Sequence, residues 1–523
     1  MGKVALYWNT IKYMKPSQIY YRIVKKIGIR CTIGCIPDTN YGDVSLIKTP
    51  IDFDKDSVFL ERFDADEILN NKVTFLHSSK EFLWNEKWEF EDQSALWNFN
   101  LHYFEYLFSM LLAYEKTGNR DYFDKTIFCI ESWIKENPEG EGIGWSPYTI
   151  DLRLTNWISY YCMTEKKLPK EFKVRLIESI HRQYVYLSKH IEKDILGNHY
   201  FEDLKTLVLC SLFFQDNMML QASLKAFKAE CKEEILSDGM HFELSPMYHK
   251  IIFEGLLRVI VALRGNRIKE TELENLIQPM LDVAWSFEEG LERIPLFNDC
   301  GNNVAKSIAS FVKICKKEFE ITPHFKSNLE DSGFYIYKWD NWKMIVDAGQ
   351  VGPNYIPGHA HSDAMSFELF KDGKPVITNC GTYGYQCKER QFFRSTASHN
   401  TVMVDGVEQS QCWGAFRVAK RCSVRVLSQN GNKILMELID QKKNVLNREI
   451  KIEPSKIIIT DTCKNKVLKT YLHIVSNEVK INSAMEPVKE IQQYAPEYGI
   501  ISNITAYYWL QKNKIETTIY LGE

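Results

Sequence analysis

The stretch GPNYIPGHAHSDAMSFELFKDGKPVITNCGTYGY, residues 352–385, decides how this chain is read. His359, His361 and Asp363 alternate at its start. An apolar run follows, then Lys371-Asp372-Gly373-Lys374, then a second apolar run ending near Asn379. Two period-2 runs about a glycine-containing turn predict a β-hairpin. Residues i, i+2 and i+4 of a strand point to one face, so a strand entered at His359 sets two imidazoles and a carboxylate side by side. The chain has only 12 histidines, so this placement marks a candidate site.

Downstream, GFYIYKW, WKMIVDAG and the runs NTVMVDG, KILMELI, NREIKIE, KIIITDT and TYLHIV keep the same period-2 or β-branched grammar. They predict an antiparallel β-sandwich over residues 326–523. Upstream the period changes. LWNFNLHYFEYLFSMLLAYEKTG has apolar residues at helical spacing, reads as one helix and stops at Gly118. Similar stretches lie near 121–136, 150–164, 173–192, 202–215, 218–236, 246–264 and 271–289. Serial amphipathic helices bury their faces by pairing, and no fixed repeat is visible. The expectation for residues 91–325 is an incomplete (α/α)n helical toroid with irregular loops. Residues 1–90 are less regular and are expected to wrap it. The fold class is thus multidomain α and β, with the switch near 320–332.

Composition narrows the function. At 523 residues the chain suggests two to four domains, and its 45% hydrophobic content supplies large cores. The 27 Tyr, 29 Phe and 12 Trp suit sugar-stacking grooves, although core packing accounts for most of them. The net charge of -3 and the absence of long Lys or Arg runs argue against nucleic acid as ligand. A local basic cleft for an anionic substrate needs no basic protein. The start of the chain shows no signal-peptide pattern, and no segment has the 18 or more uninterrupted apolar residues of a membrane span. Residues 11–30 read as a basic amphipathic helix, for which docking on the body is preferred to contact with a membrane surface. The 13 Cys are scattered without zinc-site spacing and read as free thiols in the cytoplasm.

Four separated motifs make the reading more specific. GNHYFEDLKTLVLCSLFF, DGMHFELSPMYHKIIFEGLL, GHAHSDAMSFELFKDGKPVITNCGTYGY and RSTASHNTVMVDGVEQSQCWGAFRVAKR occur in this order. Together they resemble the heparinase II/III-like family of polysaccharide lyases, over roughly residues 90–523. The resemblance implies β-elimination on a uronate-containing acidic polysaccharide, glycosaminoglycan-like or alginate-like. It also implies a divalent metal (Zn, Mn or Ca) in the β-domain.

β-Elimination needs the C6 carboxylate neutralised, a base for the C5 proton and an acid for the departing C4 oxygen. By resemblance Asn198 is a carboxylate neutraliser, His199 a second catalytic residue of the cleft, Tyr248 the acid and sometimes also the base, His359 a base or carboxylate neutraliser, and Tyr385 a second catalytic tyrosine. Tyr248 is expected near a helix N-terminus, where the dipole and nearby cations would lower its phenol pKa. Glu202, Trp97, Asn100, His102, Trp145, Tyr148, Arg153, Tyr383, Arg394 and Arg417 are candidate substrate contacts. His361, Asn379 and His399 are the candidate metal ligands. The resemblance places an Asp where this chain has Asn379, a weaker neutral donor, with Asp363 as a substitute. Two other readings stay open: a non-lytic protein of capsule or exopolysaccharide assembly, and a metal-dependent glycan hydrolase. An unsaturated sugar product separates the lyase from both.

Overall fold

The computed structural model describes residues 3–38 and 42–522. The chain is helical in its N-terminal part and an antiparallel sheet in its C-terminal part. Longer helices run from Ala95–Tyr103 to Ile308–Phe319, and strands take over at Asn328–Leu329. Local chemistry sets the helix ends. Asn119 accepts the Asp121 N–H to cap Arg120–Glu136, and Ser245 accepts the Tyr248 N–H to cap Pro246–Gly265. Pro246 sits in the first turn, where its missing N–H costs nothing.

The single helix expected from residue 96 to Gly118 is two. Ala95–Tyr103 ends at Phe104, whose φ of 65° is left-handed, and Leu107–Thr117 starts afresh. The buried Phe104 ring stacks between Trp88 and Tyr106. Burying such a ring gives about 1.5–3 kcal/mol, enough to offset the roughly 1–2 kcal/mol of left-handed backbone. Asn198–Phe213 is central: it packs on Pro147–Thr164, Asn217–Glu234 and Pro246–Gly265. Its later turns are apolar all round, as a buried helix requires.

Among the described residues, 13 strands join one hydrogen-bonded antiparallel sheet. Its spine is Lys456–Ile474 against Ser502–Leu521, paired from Lys456↔Tyr520 to Ile474↔Thr505. KIIITDT and TYLHIV, expected as separate strands, are the two ends of one, and the polar Cys463–Lys466 segment between them forms a bulge. Trp342–Asp347 and Lys433–Ile439 are far apart in strand order, yet both feed one apolar interior through Met344, Val346, Met436 and Leu438. Trp342–Asp347 is buried on both faces, because Ile345 packs with Phe287 and Met240 of the helical part. Its unbroken apolar run follows from that, and the same contact joins the two parts.

The decisive stretch departs from expectation at its entry. The hairpin forms, with Phe367–Lys371 returning as Lys374–Ile377, but residues 348–366 are loop. Pro353 and Pro357 cannot donate to a ladder, which keeps this approach out of the sheet. His359, His361 and Asp363 therefore do not share a strand face. Asp363 turns away and accepts the Asn298 N–H at 3.0 Å.

Candidate active site

A cleft of about 2120 Å³ is lined by Asn198, His199 and Tyr248 from the helical part and by His359, Tyr385 and Tyr498 from the sheet part. Gly197 precedes the helix Asn198–Phe213 with φ 61°, and a Cβ there would lie 3.1 Å from Ile356 Cδ1 and 3.2 Å from Glu243 Oε1. Glycine is needed for both reasons. Asn198 is then the first helical residue and not the cap. Its side-chain amide makes no hydrogen bond to another described residue and is left for the cleft.

Tyr248 stands in the first turn of Pro246–Gly265. Its ring stacks on His359 at 3.8 Å between centroids, and its hydroxyl lies 2.7 Å from that of Tyr385. Tyr385 in turn meets the Tyr498 hydroxyl at 2.9 Å. Behind this wall lies Asp299. One oxygen meets His359 Nδ1 at 2.9 Å, the other His361 Nε2 at 2.9 Å, and Arg390 grips both. Burial would raise the Asp299 carboxyl, but Arg390 and the two imidazoles hold it well below the carboxylate range. The ionised Asp299 fixes the tautomer of His359: Nδ1 carries the proton, and the Nε2 lone pair faces the cleft. Burial lowers the His359 pKa, so this imidazole is neutral.

The phenols behave otherwise than expected. Burial, the neighbouring Tyr385 and Tyr148, and Asp299 raise Tyr248 well above its ordinary value. Desolvation in the closed wall overrides any helix-dipole effect, so Tyr248 is a protonated donor. His199 is shifted the other way from His359. Burial opposes its charge, but the Glu192 carboxylate, 2.7 Å from Nδ1, raises its pKa. Its ring also lies 4.7 Å from that of Tyr148.

The predicted contacts divide. Tyr148, Glu202, Tyr383, Asn100 and Arg417 line the cleft. Glu202 pairs with Lys205, Asn100 accepts from Arg62 at 2.8 Å, and Arg417 lies over the Trp413 ring at 4.7 Å. Trp97 backs the wall, its indole N–H donating to Ser78 O at 2.8 Å. Four others are placed away from the cleft. His102 is fully buried between Trp88 O and the Trp133 N–H, each at 2.9 Å. Trp145 donates to Asn137 O at 3.2 Å. Arg153 binds Gln183 and Gly144 O, each at 2.7 Å. Arg394 holds Ala360 O, at 2.9 Å from Nη2, and Ala415 O, at 3.2 Å from Nη1. Buried polar groups must find partners, and these side chains found them in the protein.

Residues 38–326 match the family model of the heparinase II/III N-terminus, and residues 322–489 match that of the heparinase II/III-like C-terminal part. The chain belongs to the heparinase II/III family. A heparin-sulfate lyase of Pedobacter heparinus is 25% identical over 367 residues, covering 62% of this chain and 54% of the relative. One of Bacteroides stercoris is 22% identical over 433 residues, 71% and 62% respectively. The match thus spans little more than half the length of these relatives. A crystal structure of heparinase III superposes with a TM-score of 0.68 at 15% identity, covering 99% of this chain and 94% of that one. The fold is that of heparinase III.

A metal is what the family resemblance implied for His361, Asn379 and His399, and two of the three donors converge as one would require. His361 Nδ1 and His399 Nε2 face each other at 3.1 Å; His361 Nε2 donates to Asp299 and His399 Nδ1 donates to Ser395 O at 2.8 Å, so both facing nitrogens present lone pairs. The third donor is the weak one: Asn379 Oδ1 is a neutral oxygen that already accepts the Asn400 N–H at 3.0 Å, and its amide nitrogen donates to Leu296 O at 3.1 Å. Asp363 is spent on Asn298. Among the described residues no group of three or more His, Cys, Asp or Glu is placed to hold an ion.

Sequence reasoning missed Asp299, Arg390 and Tyr498. Asp299 lies in FNDCG, residues 297–301, which has neither helical nor strand period. An Asn-Asp step after an apolar run was its only trace.

Proposed function

We propose that this protein is a polysaccharide lyase that cleaves a uronate-containing, glycosaminoglycan-like chain by β-elimination. The observation that carries the reading is the stack of protonated Tyr248 on neutral His359, two groups of complementary role 3.8 Å apart. The Asn198 amide and the His199 cation bind the C6 carboxylate and its developing enolate charge. His359 Nε2 takes the C5 proton, while Asp299 holds the ring and supports the imidazolium that forms. The C4–O bond breaks as Tyr248 gives its proton to the leaving oxygen, and a C4=C5 double bond remains. Tyr385 and Tyr498 continue the hydroxyl chain through which Tyr248 is reprotonated.

The test is a screen of uronate polysaccharides, unsulfated and sulfated, for the ultraviolet absorbance of an unsaturated uronate. Absorbance that appears with the parent and vanishes in Tyr248→Phe supports the proposal. New reducing ends without absorbance would assign hydrolysis instead.

A further inference from the structure

Residues 3–30 precede the part matched by the family models, which begins at residue 38, yet side chains from Thr10 to Lys26 help to line the cleft. They form two helices, α1 (Lys3–Ile11) and α2 (Pro16–Lys26), that reach across both parts of the molecule. On the sheet part the Trp413 indole donates to Thr10 at 3.1 Å, and Arg421 lies over the Tyr13 ring at 4.0 Å. On the helical part Val24 is buried, Gln18 donates to Ile195 O at 3.0 Å, and Lys25 meets Asp194 at 3.2 Å. Asp194 and Asn198 are four residues apart, a span of at most about 14 Å. α2 is thus anchored on the loop that leads into Asn198 and His199.

The other side of α2 faces the cleft. Ile19, Arg22, Ile23 and Lys26 fall at i, i+3, i+4 and i+7, one stripe of a helix, and all four line the cleft. The sheet part brings Arg417 and Arg421 to the same lining. The turn at Tyr13 and Met14 joins the two sets: Arg421 lies over Tyr13, and Arg22 Nη1 points to Met14 Sδ at 3.8 Å. These cations lack counter-charges. The acids nearby, Glu192 and Asp194, are paired with His199 and Lys25. Among the described residues no carboxylate forms an ion pair with Arg22, Lys26, Arg417 or Arg421. Arg421 Nε is shut off from solvent and meets no acceptor among the described residues, and burial lowers this guanidinium to about 10.

A buried cation without its anion is costly, and a bound anion offsets that cost. At the Tyr498 end the cleft's Arg62 is instead neutralised by Glu105, 3.7 Å away, and by Glu497. The charge of the cleft is therefore uneven, and its uncompensated cations gather beside α2. We propose that Arg22, Lys26, Arg417 and Arg421 form a second anion-binding subsite, which takes a sulfate ester or a carboxylate on a sugar beyond the cleaved uronate. Guanidinium forks suit both oxyanions. The proposal rests on the lyase reading of the cleft and adds that the preferred substrate is charged on more than one sugar.

The experiment uses the full chain carrying Tyr248→Phe, so that binding is read without cleavage. Fluorescence anisotropy gives Kd for labelled hexasaccharides of heparosan, which carries carboxylates alone, and of heparan sulfate, which carries sulfates as well. Arg22→Gln combined with Arg421→Gln should weaken binding by roughly tenfold or more, as expected where charge-assisted hydrogen bonds are lost. An equal loss on both probes assigns the subsite to a carboxylate, and a loss confined to heparan sulfate assigns it to a sulfate. With Tyr248 restored, KM should rise by a similar factor while kcat is held, since neither arginine touches the reacting atoms. Should Arg421→Gln fail to fold, Arg22→Gln with Lys26→Gln on the cleft side of α2 should show the same loss. Unchanged Kd, or no binding to either probe, overturns the proposal. So does an equal loss on a neutral N-acetylglucosamine hexasaccharide, which marks a distorted cleft. A parent that cleaves no uronate polysaccharide sinks the lyase reading alone, because the subsite stands or falls on the binding measurement.

Discussion

The hydroxyls of Tyr248 and Tyr385 lie 2.7 Å apart, one on a helix of the N-terminal part and one on the loop that follows the hairpin of the sheet domain. The pair exists only because the two parts are docked, and the apolar contact of Phe287 and Met240 with Ile345 is one of the contacts that dock them. A cleft that needs both parts for its chemistry is formed by folding of the whole chain.

Tyr248→Phe keeps the ring stacked on His359 and removes only the proton donor. Turnover should fall by about 10²–10⁴ with KM nearly unchanged, the pattern of lost acid catalysis. Full activity in this variant on a substrate the parent cleaves would remove Tyr248 from the mechanism.

Asp299→Asn tests the support behind His359. It leaves the buried Arg390 guanidinium without its counter-charge, which costs about 3–5 kcal/mol. It also frees His359 to take either tautomer. Denaturant unfolding should show the stability loss. Residual activity measured well below the lowered Tm should still be depressed, which a purely structural role would not produce.

Legibility followed period and motif. The helical part and the sheet were readable because apolar spacing shifts from 3.6 to 2 near residue 325. Phe104 was not, since a left-handed residue inside an apolar helical pattern gives no local signal when a distant tryptophan stabilises it. Asn198, His199, Tyr248, His359 and Tyr385 were visible as motif residues, and they converge on one cleft. Asp299 was invisible because its partners lie some 60 to 90 residues downstream. His102, Arg153 and Arg394 misled because polar residue types that suit a sugar groove also pin buried carbonyls.

Asn379→Asp gives the facing His361 and His399 nitrogens a charged third donor, at a cost in stability. The substitution removes the amide that donates to Leu296 O and sets a carboxylate against a carbonyl. A loss of about 1–3 kcal/mol is expected, the usual cost of an unsatisfied buried polar group. Elemental analysis after dialysis against a divalent metal should find more bound ion in the variant than in the parent, and chelator should leave the turnover of the parent unchanged. A stoichiometric metal already present in the parent would show that the neutral Asn379 oxygen suffices as the third donor.

Glu192 should set the alkaline limit of substrate binding. His199 serves the uronate as a cation, and the Glu192 carboxylate is what raises its pKa against the effect of burial. A raised pKa keeps the charge present below the ordinary histidine value and for some way above it. It is lost only as pH rises through the raised value. Affinity for a uronate substrate should therefore weaken, seen as a rising KM, across that upper window. Glu192→Gln keeps the shape but withdraws the charge, so burial dominates and the imidazole deprotonates at lower pH. The rise in KM should move toward acid while kcat at low pH stays close to that of the parent. His199→Gln should give a KM that is high and flat across the same range. An unshifted KM profile in Glu192→Gln would show that His199 does not carry the charge that meets the substrate.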